Sequence, residues 1–127
     1  MTQVQPPEWA HHDSVWIGFP SDGNLWLDNL EGAQAEVAAF ARAVHAGGKG
    51  ERVQLVCANG LAEEAARALA GDCAQIVSAP FFDIWLRDTG PIIVRNAHGH
   101  LALDYKGNGW GGKYPSPLDD GLAAVLC

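Results

Sequence analysis

Two carboxylates, a guanidinium and an indole lie within nine residues of this chain, in the segment Asp83–Pro91, which reads DIWLRDTGP. A carboxylate has two oxygens that match the planar fork of a guanidinium, and an indole can cover the flat face of that cation. Asp88 and Trp85 therefore form a candidate guanidinium-binding pair, with Asp83 as a further polar contact. The alternative is an ordinary ion pair between Arg87 and one of the aspartates, with Trp85 packed in the core.

This segment is predicted to be a loop between two buried strands. It follows Ala79-Pro80-Phe81-Phe82 and precedes the apolar run Ile92–Val94. Gly90 tolerates backbone shapes that other residues resist, and Pro91 fixes its own φ and disfavours helix at the residue before it. We therefore expect the chain to leave the loop extended, on a scaffold rigid enough to position functional groups.

A second segment rich in glycine lies downstream. Residues 107–112 read GNGWGG, with four glycines around one indole. The glycine spacing fits neither a Walker-type phosphate loop nor a dinucleotide fingerprint, and no helix is predicted to start there. The sequence therefore indicates a loop shaped by its backbone rather than a phosphate-binding site.

Other polar residues are interpreted as structural. His11, His12, His98 and His100 have no partners at metal-ligand spacing, so no metal site is predicted. The pair Asp119-Asp120 suits the first turn of a helix, where acidic side chains interact favourably with the helix dipole.

Composition indicates a single acidic domain over residues 1–127. Eight Lys and Arg residues against 15 Asp and Glu give a formal net charge of −7, which disfavours nucleic acid or an anionic membrane as partner and suits a small cation.

Cys57, Cys73 and Cys127 lack metal or disulfide spacing, and Cys57 is expected in a buried strand. Residues 1–9 lack signal-peptide features, so a cytoplasmic location is expected. Oligomeric state stays open.

Hydrophobic patterning predicts alternating strands and helices, which is typical of an α/β fold. Strands are expected at 14–19, 52–57 and 74–78, followed by a hairpin formed by 92–95 and 101–105. Helices are expected at 61–69, between Trp26 and the glycine-rich run 47–50, and at the end of the chain, with an entry at 115–120 and an apolar continuation at 122–127. The apolar stripe of the helix before 47–50 comprises Leu30, Ala33, Val37, Phe40, Ala41 and Val44.

The two segments together resemble the signatures of the agmatine deiminase and bacterial-type peptidyl-arginine deiminase family. The resemblance rests on DIWLRDTGP at 83–91, followed by DYKGNGWGGKY at 104–114. The opening Pro7-Glu8-Trp9, the run VWIGFP at 15–20 and Trp26 are also similar to that family. Two separated motifs in the same order are more specific than either motif alone.

The resemblance implies a fold and an activity. The family forms a ring of five ββαβ units, the pentein or α/β propeller, and this chain would supply its first one or two units. The implied reaction is the cofactor-free hydrolysis of agmatine to N-carbamoylputrescine and ammonia, through a thiouronium intermediate on a cysteine, in putrescine biosynthesis. Asp88 would hold the guanidinium and take part in catalysis, Trp85 and Asp83 would line the substrate, and Arg87 would orient the loop carboxylates.

Three alternatives stay open. The first is deimination of arginine within peptides, because the same loop could grip that guanidinium. The second is a folding or binding fragment without catalysis, since the nucleophilic cysteine and catalytic histidine are expected in later units of the ring and Cys127 lies in an apolar helix-like run. The third is a generic α/β binding module in which Arg87 pairs with Asp88.

Overall fold

The protein is described here by a computed structural model, which covers residues 2–114 and 116–127. Within these residues the chain interleaves strands and helices, as predicted. The strands are β1 Val15–Gly18, β2 Val53–Cys57, β3 Ala74–Ser78, β4 Ile92–Asn96 and β5 Gly99–Leu103. The helices are α1 Gly23–Trp26, α2 Leu30–His45, α3 Gly60–Ala70, α4 Leu86–Thr89, α5 Gly109–Gly112 and α6 Asp119–Leu126, and short 3₁₀ turns occupy Leu27–Asn29 and Ala46–Gly48.

The first three strands form a parallel sheet in the order β1-β2-β3. Val53 of β2 is in register with Val15 of β1 on one side and with Ala74 of β3 on the other. Parallel neighbours require long crossover connections, which α2 and α3 provide. The loops that follow the three strands therefore leave from one edge of the sheet, as ligand-binding loops of α/β proteins do.

Strand β2 has apolar side chains on both faces because successive residues point to opposite sides of a sheet. Val53, Leu55 and Cys57 lie in a buried cluster with alanines of α2 and α3. Val56 points the other way and packs in a second cluster with Phe81 and Leu122. The sheet is thus covered by α2 and α3 on one face, and by α6 and the segment around Phe81 on the other.

Helix α2 packs on the sheet through small residues. Ala33, Ala38 and Ala41 are buried, whereas Phe40 is 58% exposed. The prediction that Phe40 belongs to the buried stripe is therefore wrong. Two residues correspond to about 200° around a helix, so Phe40 lies on the side opposite Ala38. The helix ends at His45, just before the predicted glycine-rich stop. Its C-cap residue Ala46 adopts a left-handed conformation with φ 48° and donates its backbone N–H to the carbonyl of Arg42.

Helix α3 begins with a side-chain cap. The Asn59 side chain accepts a hydrogen bond of 2.9 Å from the backbone N–H of Ala62, which satisfies one free donor of the first turn. Beyond the helix, Arg42 of α2 donates to both carboxylate oxygens of Asp72, at 2.7 and 2.9 Å. The hydrogen bonds with Arg42 lower the pKa of Asp72, and the same pairing raises the pKa of Arg42.

Strands β4 and β5 form the predicted antiparallel hairpin, with Ile92 opposite Leu103 and Asn96 opposite Gly99. The Asn96 side chain accepts a 2.8 Å hydrogen bond from the backbone N–H of His98 in the turn. Val4 pairs with Arg95 through two backbone hydrogen bonds of 2.9 Å, so the N-terminal segment lies along the free edge of β4.

A bilayer-spanning helix is not found in the part of the chain that the structure describes, since none of these helices combines the necessary length and apolar character.

Candidate functional site

The segment that carries Asp88 is anchored on the second buried cluster. Phe81 is buried there, and Ile84 and Leu86 pack against it as partly buried side chains. Gly18, at the end of β1, lies so close to this segment that a Cβ added to it would be 2.9 Å from both the Cα and the carbonyl oxygen of Ile84. The loop is therefore fixed by packing on the carboxyl edge of the sheet.

Asp83 fixes the indole of Trp85. One carboxylate oxygen of Asp83 accepts a hydrogen bond of 2.7 Å from the backbone N–H of Ile84. The other accepts a hydrogen bond of 2.9 Å from Nε1–H of Trp85. The Trp85 side chain is held in this way although it is 55% exposed. The structure therefore pairs two of the three predicted binding residues with each other, and neither of them lines the cleft described next.

One helical turn, α4, presents Asp88. The backbone N–H of Asp88 donates a hydrogen bond of 2.9 Å to the carbonyl of Trp85. The Thr89 hydroxyl donates a hydrogen bond of 3.1 Å to the same carbonyl. The turn ends at Gly90, whose backbone N–H donates a hydrogen bond of 2.8 Å to the carbonyl of Leu86. Asp88 is thus carried by a hydrogen-bonded turn instead of an irregular loop, and the chain then leaves it extended, as predicted.

Asp88, which is solvent-exposed, lines a cleft of about 210 Å³ to which both sequence signatures contribute residues. The first signature contributes Asp88 and Thr89, and the second contributes Tyr105 and residues 107–110. The remaining lining residues are Ser116, Asp119 and Asp120. The lining contains three carboxylates and no lysine or arginine, although the ammonium of Lys106 lies 2.7 Å from the backbone carbonyl of Asp120.

Arg87 does not neutralise Asp88. Within residues 2–114 and 116–127, the guanidinium of Arg87 forms its ion pair with Glu8 of the N-terminal segment. The predicted role of Arg87 in orienting the loop carboxylates is therefore wrong, and the alternative in which Arg87 pairs with Asp88 is not observed. No basic side chain among these residues lies within ion-pairing distance of the Asp88 carboxylate.

The glycine-rich segment curls into a left-handed turn against the cleft. Gly109, Trp110, Gly111 and Gly112 all have positive φ, with φ 56° at Trp110, a value that disfavours large side chains. The Asn108 side chain caps the turn by accepting a hydrogen bond of 2.9 Å from the backbone N–H of Gly111. The ring of Trp110 meets Tyr114 edge-on, with centroids 6.5 Å apart. The glycines thus allow a single indole to lie at the cleft wall.

Two residues of the cleft were predicted to serve only as helix-start charges. Asp119 is 7% exposed, and one of its carboxylate oxygens accepts a hydrogen bond of 2.7 Å from the backbone N–H of Phe82. Asp120 accepts 3.0 Å from the backbone N–H of Gly107. The sequence contained little signal for these contacts, because both partners are backbone groups of distant loops.

In the described part of the chain, no metal-ligand cluster is found and the buried thiol of Cys57 is poorly suited to act as a nucleophile. This part contains no group of three or more His, Cys, Asp or Glu side chains placed to hold a metal ion. Burial, reinforced by the nearby Glu63 carboxylate, raises the pKa of Cys57 to about 12. A thiol of that pKa stays protonated at neutral pH and is a poor nucleophile. The ionisable groups that line the cleft are the carboxylates of Asp88, Asp119 and Asp120.

A sequence profile of the Porphyromonas-type peptidyl-arginine deiminases matches residues 4–127. The chain belongs to this family. It is similar to the agmatine deiminases of Stutzerimonas stutzeri, at 40% identity over 121 residues, and of Ectopseudomonas mendocina, at 37% over 128 residues. These matches cover 94% and 95% of this chain but only 30% and 34% of the two relatives. The chain therefore spans about a third of the length of the deiminases it matches.

The fold agrees with that assignment. An agmatine deiminase of Enterococcus faecalis superposes with a TM-score of 0.86 at 23% identity, over 98% of this chain and 35% of that structure. The predicted α/β fold, a partial pentein, is confirmed by this likeness. The family prediction is likewise confirmed, whereas the individual roles of Asp88, Trp85 and Asp83 stay predictions.

Proposed function

We propose that this chain supplies the guanidinium-binding part of an agmatine deiminase-type hydrolase, with Asp88 as the residue that grips the substrate. The observation that carries the proposal is the placement of Asp88, which lines a cleft shared by both family signatures and forms no ion pair among the described residues. A carboxylate left free in an acidic cleft is suited to a flat cation from outside the chain.

The proposed chemistry is nucleophilic substitution at the guanidinium carbon. A cysteine thiolate attacks that carbon, ammonia leaves, and water hydrolyses the resulting thiouronium to give N-carbamoylputrescine from agmatine. Asp88 holds two guanidinium nitrogens through paired hydrogen bonds, which orients the carbon for attack. The thiolate and the histidine that moves protons belong to other units of the ring.

Agmatine is the favoured substrate because relatives at 37–40% identity are agmatine deiminases. The acidic lining also fits a ligand with two positive charges, and agmatine carries an amine as well as a guanidinium. Peptidyl arginine is the second candidate, since the matching family profile is that of peptidyl-arginine deiminases.

The test is a chimera in which residues 4–127 replace the matching segment of the Stutzerimonas stutzeri agmatine deiminase. We expect this chimera to release ammonia and N-carbamoylputrescine from agmatine, and the 127-residue chain alone to release none. Asp88→Asn should lower kcat/KM by at least about 100-fold, since an interaction that holds the reacting group is lost. Asp13→Asn, which makes the same change at an exposed carboxylate, is the matched control.

Two results would contradict the proposal. Near-normal turnover by the folded Asp88→Asn chimera would remove Asp88 from the site. A preference for acyl-arginine amides over agmatine would assign the chain to the peptidyl-arginine branch of the family.

A further inference from the structure

Helix α6 begins with two carboxylates that are hydrogen-bonded to two different segments of the chain. Asp119 accepts the backbone N–H of Phe82 at 2.7 Å, on the segment that leads into Asp88. Asp120 accepts the backbone N–H of Gly107 at 3.0 Å, on the glycine-rich segment. The backbone carbonyl of Asp120 also accepts a hydrogen bond of 2.7 Å from the ammonium of Lys106. The first turn of one helix is thus bonded to the glycine-rich wall of the cleft and to the segment that leads into Asp88.

The helix that carries these carboxylates packs on the second buried cluster. Leu122 is fully buried, in the cluster that also holds Phe81. Asp119 is 7% exposed, and its second oxygen, Oδ2, is buried without a hydrogen-bond partner among the described residues. A buried carboxylate is costly unless it is well paired, so a purely electrostatic role at the helix start does not account for its burial. The short bond to Phe82 gives it a role in holding the loop.

We infer that Asp119 and Asp120 form a clamp that sets the distance between Asp88 and the glycine-rich wall of the guanidinium cleft. In this account Asp119 is a positioning residue, which acts through the loop and leaves the guanidinium to Asp88. The inference rests on the proposed function for the identity of the ligand. The hydrogen bonds of the clamp are properties of the chain itself.

The decisive comparison is between two substitutions at position 119 in the chimera. Asn keeps an oxygen that can accept the Phe82 N–H, whereas Ala removes it. We expect Asp119→Ala to lower kcat/KM for agmatine by about tenfold, mainly through a higher KM, because the gripping carboxylate is misplaced. Asp119→Asn should restore most of that loss.

A control separates positioning from stability. Val53→Ala removes buried volume from the first cluster, on the opposite face of the sheet, and should lower the unfolding temperature without changing KM. If Asp119→Ala lowers only the unfolding temperature, as Val53→Ala does, the clamp has no functional role. If Asn is as harmful as Ala, the charge of Asp119 acts directly and the positioning account is wrong.

Hydrogen exchange in the 127-residue chain tests the clamp independently of turnover. The Phe82 amide should exchange faster in Asp119→Ala than in Asp119→Asn, and the Gly107 amide should respond to Asp120→Ala. Unchanged exchange at both amides would overturn the clamp even if the chimera is active. An inactive chimera with the expected exchange pattern would instead overturn the proposed function.

Discussion

The two halves of the chain differ in how they bury their apolar side chains. In the first half, residues 15–78, the parallel sheet and helices α2 and α3 enclose a cluster of ten buried residues. In the second half, residues 79–127, large apolar side chains remain at least 38% exposed on the hairpin and the glycine-rich segment. They are Ile93, Leu101, Tyr105, Trp110 and Tyr114.

The half with the larger buried cluster carries none of the cleft, although Leu27, Phe40 and Leu61 are exposed there. The other half carries all of it. Every residue that lines the cleft lies between 88 and 120. Sheet strands and alanine-rich helices provide a rigid support, while turns and loops carry the groups that meet a ligand. Exposed apolar side chains beside such a site are typical of a surface that another part of a domain or a partner covers.

The same substitution in each half should have very different costs. Leu55 is fully buried, so Leu55→Ala should lower the free energy of unfolding by about 2–5 kcal/mol. Leu101 is 42% exposed, and Leu101→Ala should cost less than about 1 kcal/mol. Urea denaturation of the two variants gives both values. Equal costs would show that the hairpin belongs to the stable core.

The contact between the halves can be broken at Gly18. A methyl group there would collide with the backbone of Ile84, so Gly18→Ala should cost about 1–3 kcal/mol and shift the Trp85 indole N–H resonance. The matched control is Gly60→Ala, where an added Cβ meets nothing within 4 Å. An unchanged Trp85 resonance in Gly18→Ala would mean that β1 does not position the loop.

The cysteines should report the same division with a smaller effect. Cys127 is exposed, whereas Cys57 and Cys73 are buried. At pH 8 a thiol reagent should modify Cys127 rapidly and the other two only on unfolding, because the thiolate is the reactive form and burial raises the pKa of Cys57 to about 12. Rapid modification of Cys57 in the folded chain would contradict the closed core.

The raised pKa of Cys57 also predicts how stability changes in alkali. The unfolded chain loses the Cys57 proton near the ordinary pKa of 9.0, whereas the folded chain keeps it. The stability associated with the protonated thiol is therefore complete below about pH 9 and is lost as the pH rises toward 12. Urea midpoints should fall over this range, and less steeply for Cys57→Ala.

Local sequence patterns predicted the support better than the site. The strands and long helices followed from periodicity, and Gly47–Gly50 marked the end of α2. Phe40 was misplaced because alanine at 33, 38 and 41 defines the packed face, and small residues give a weak hydrophobic signal. Within the site, the Asp88 and Trp110 segments were recognisable as signatures.

The contacts that hold the site segments in place could not be predicted from the sequence. Asp119 bonds to a backbone group 37 residues away, and Arg87 bonds to Glu8 instead of its neighbouring aspartates. Such partners depend on how the hairpin and α6 fold back onto the sheet. Spacing along the chain carries no record of that arrangement.

The central claim, that Asp88 is free to grip a guanidinium, is tested most directly by titrating the 127-residue chain with agmatine and following backbone amide resonances. The account predicts shifts at Asp88, Thr89 and Gly107–Gly109 that are lost in Asp88→Asn and retained in Asp13→Asn. The diamine putrescine, which lacks the guanidinium, should produce much smaller shifts. Equal responses from Asp88→Asn and the unmodified chain would contradict the account.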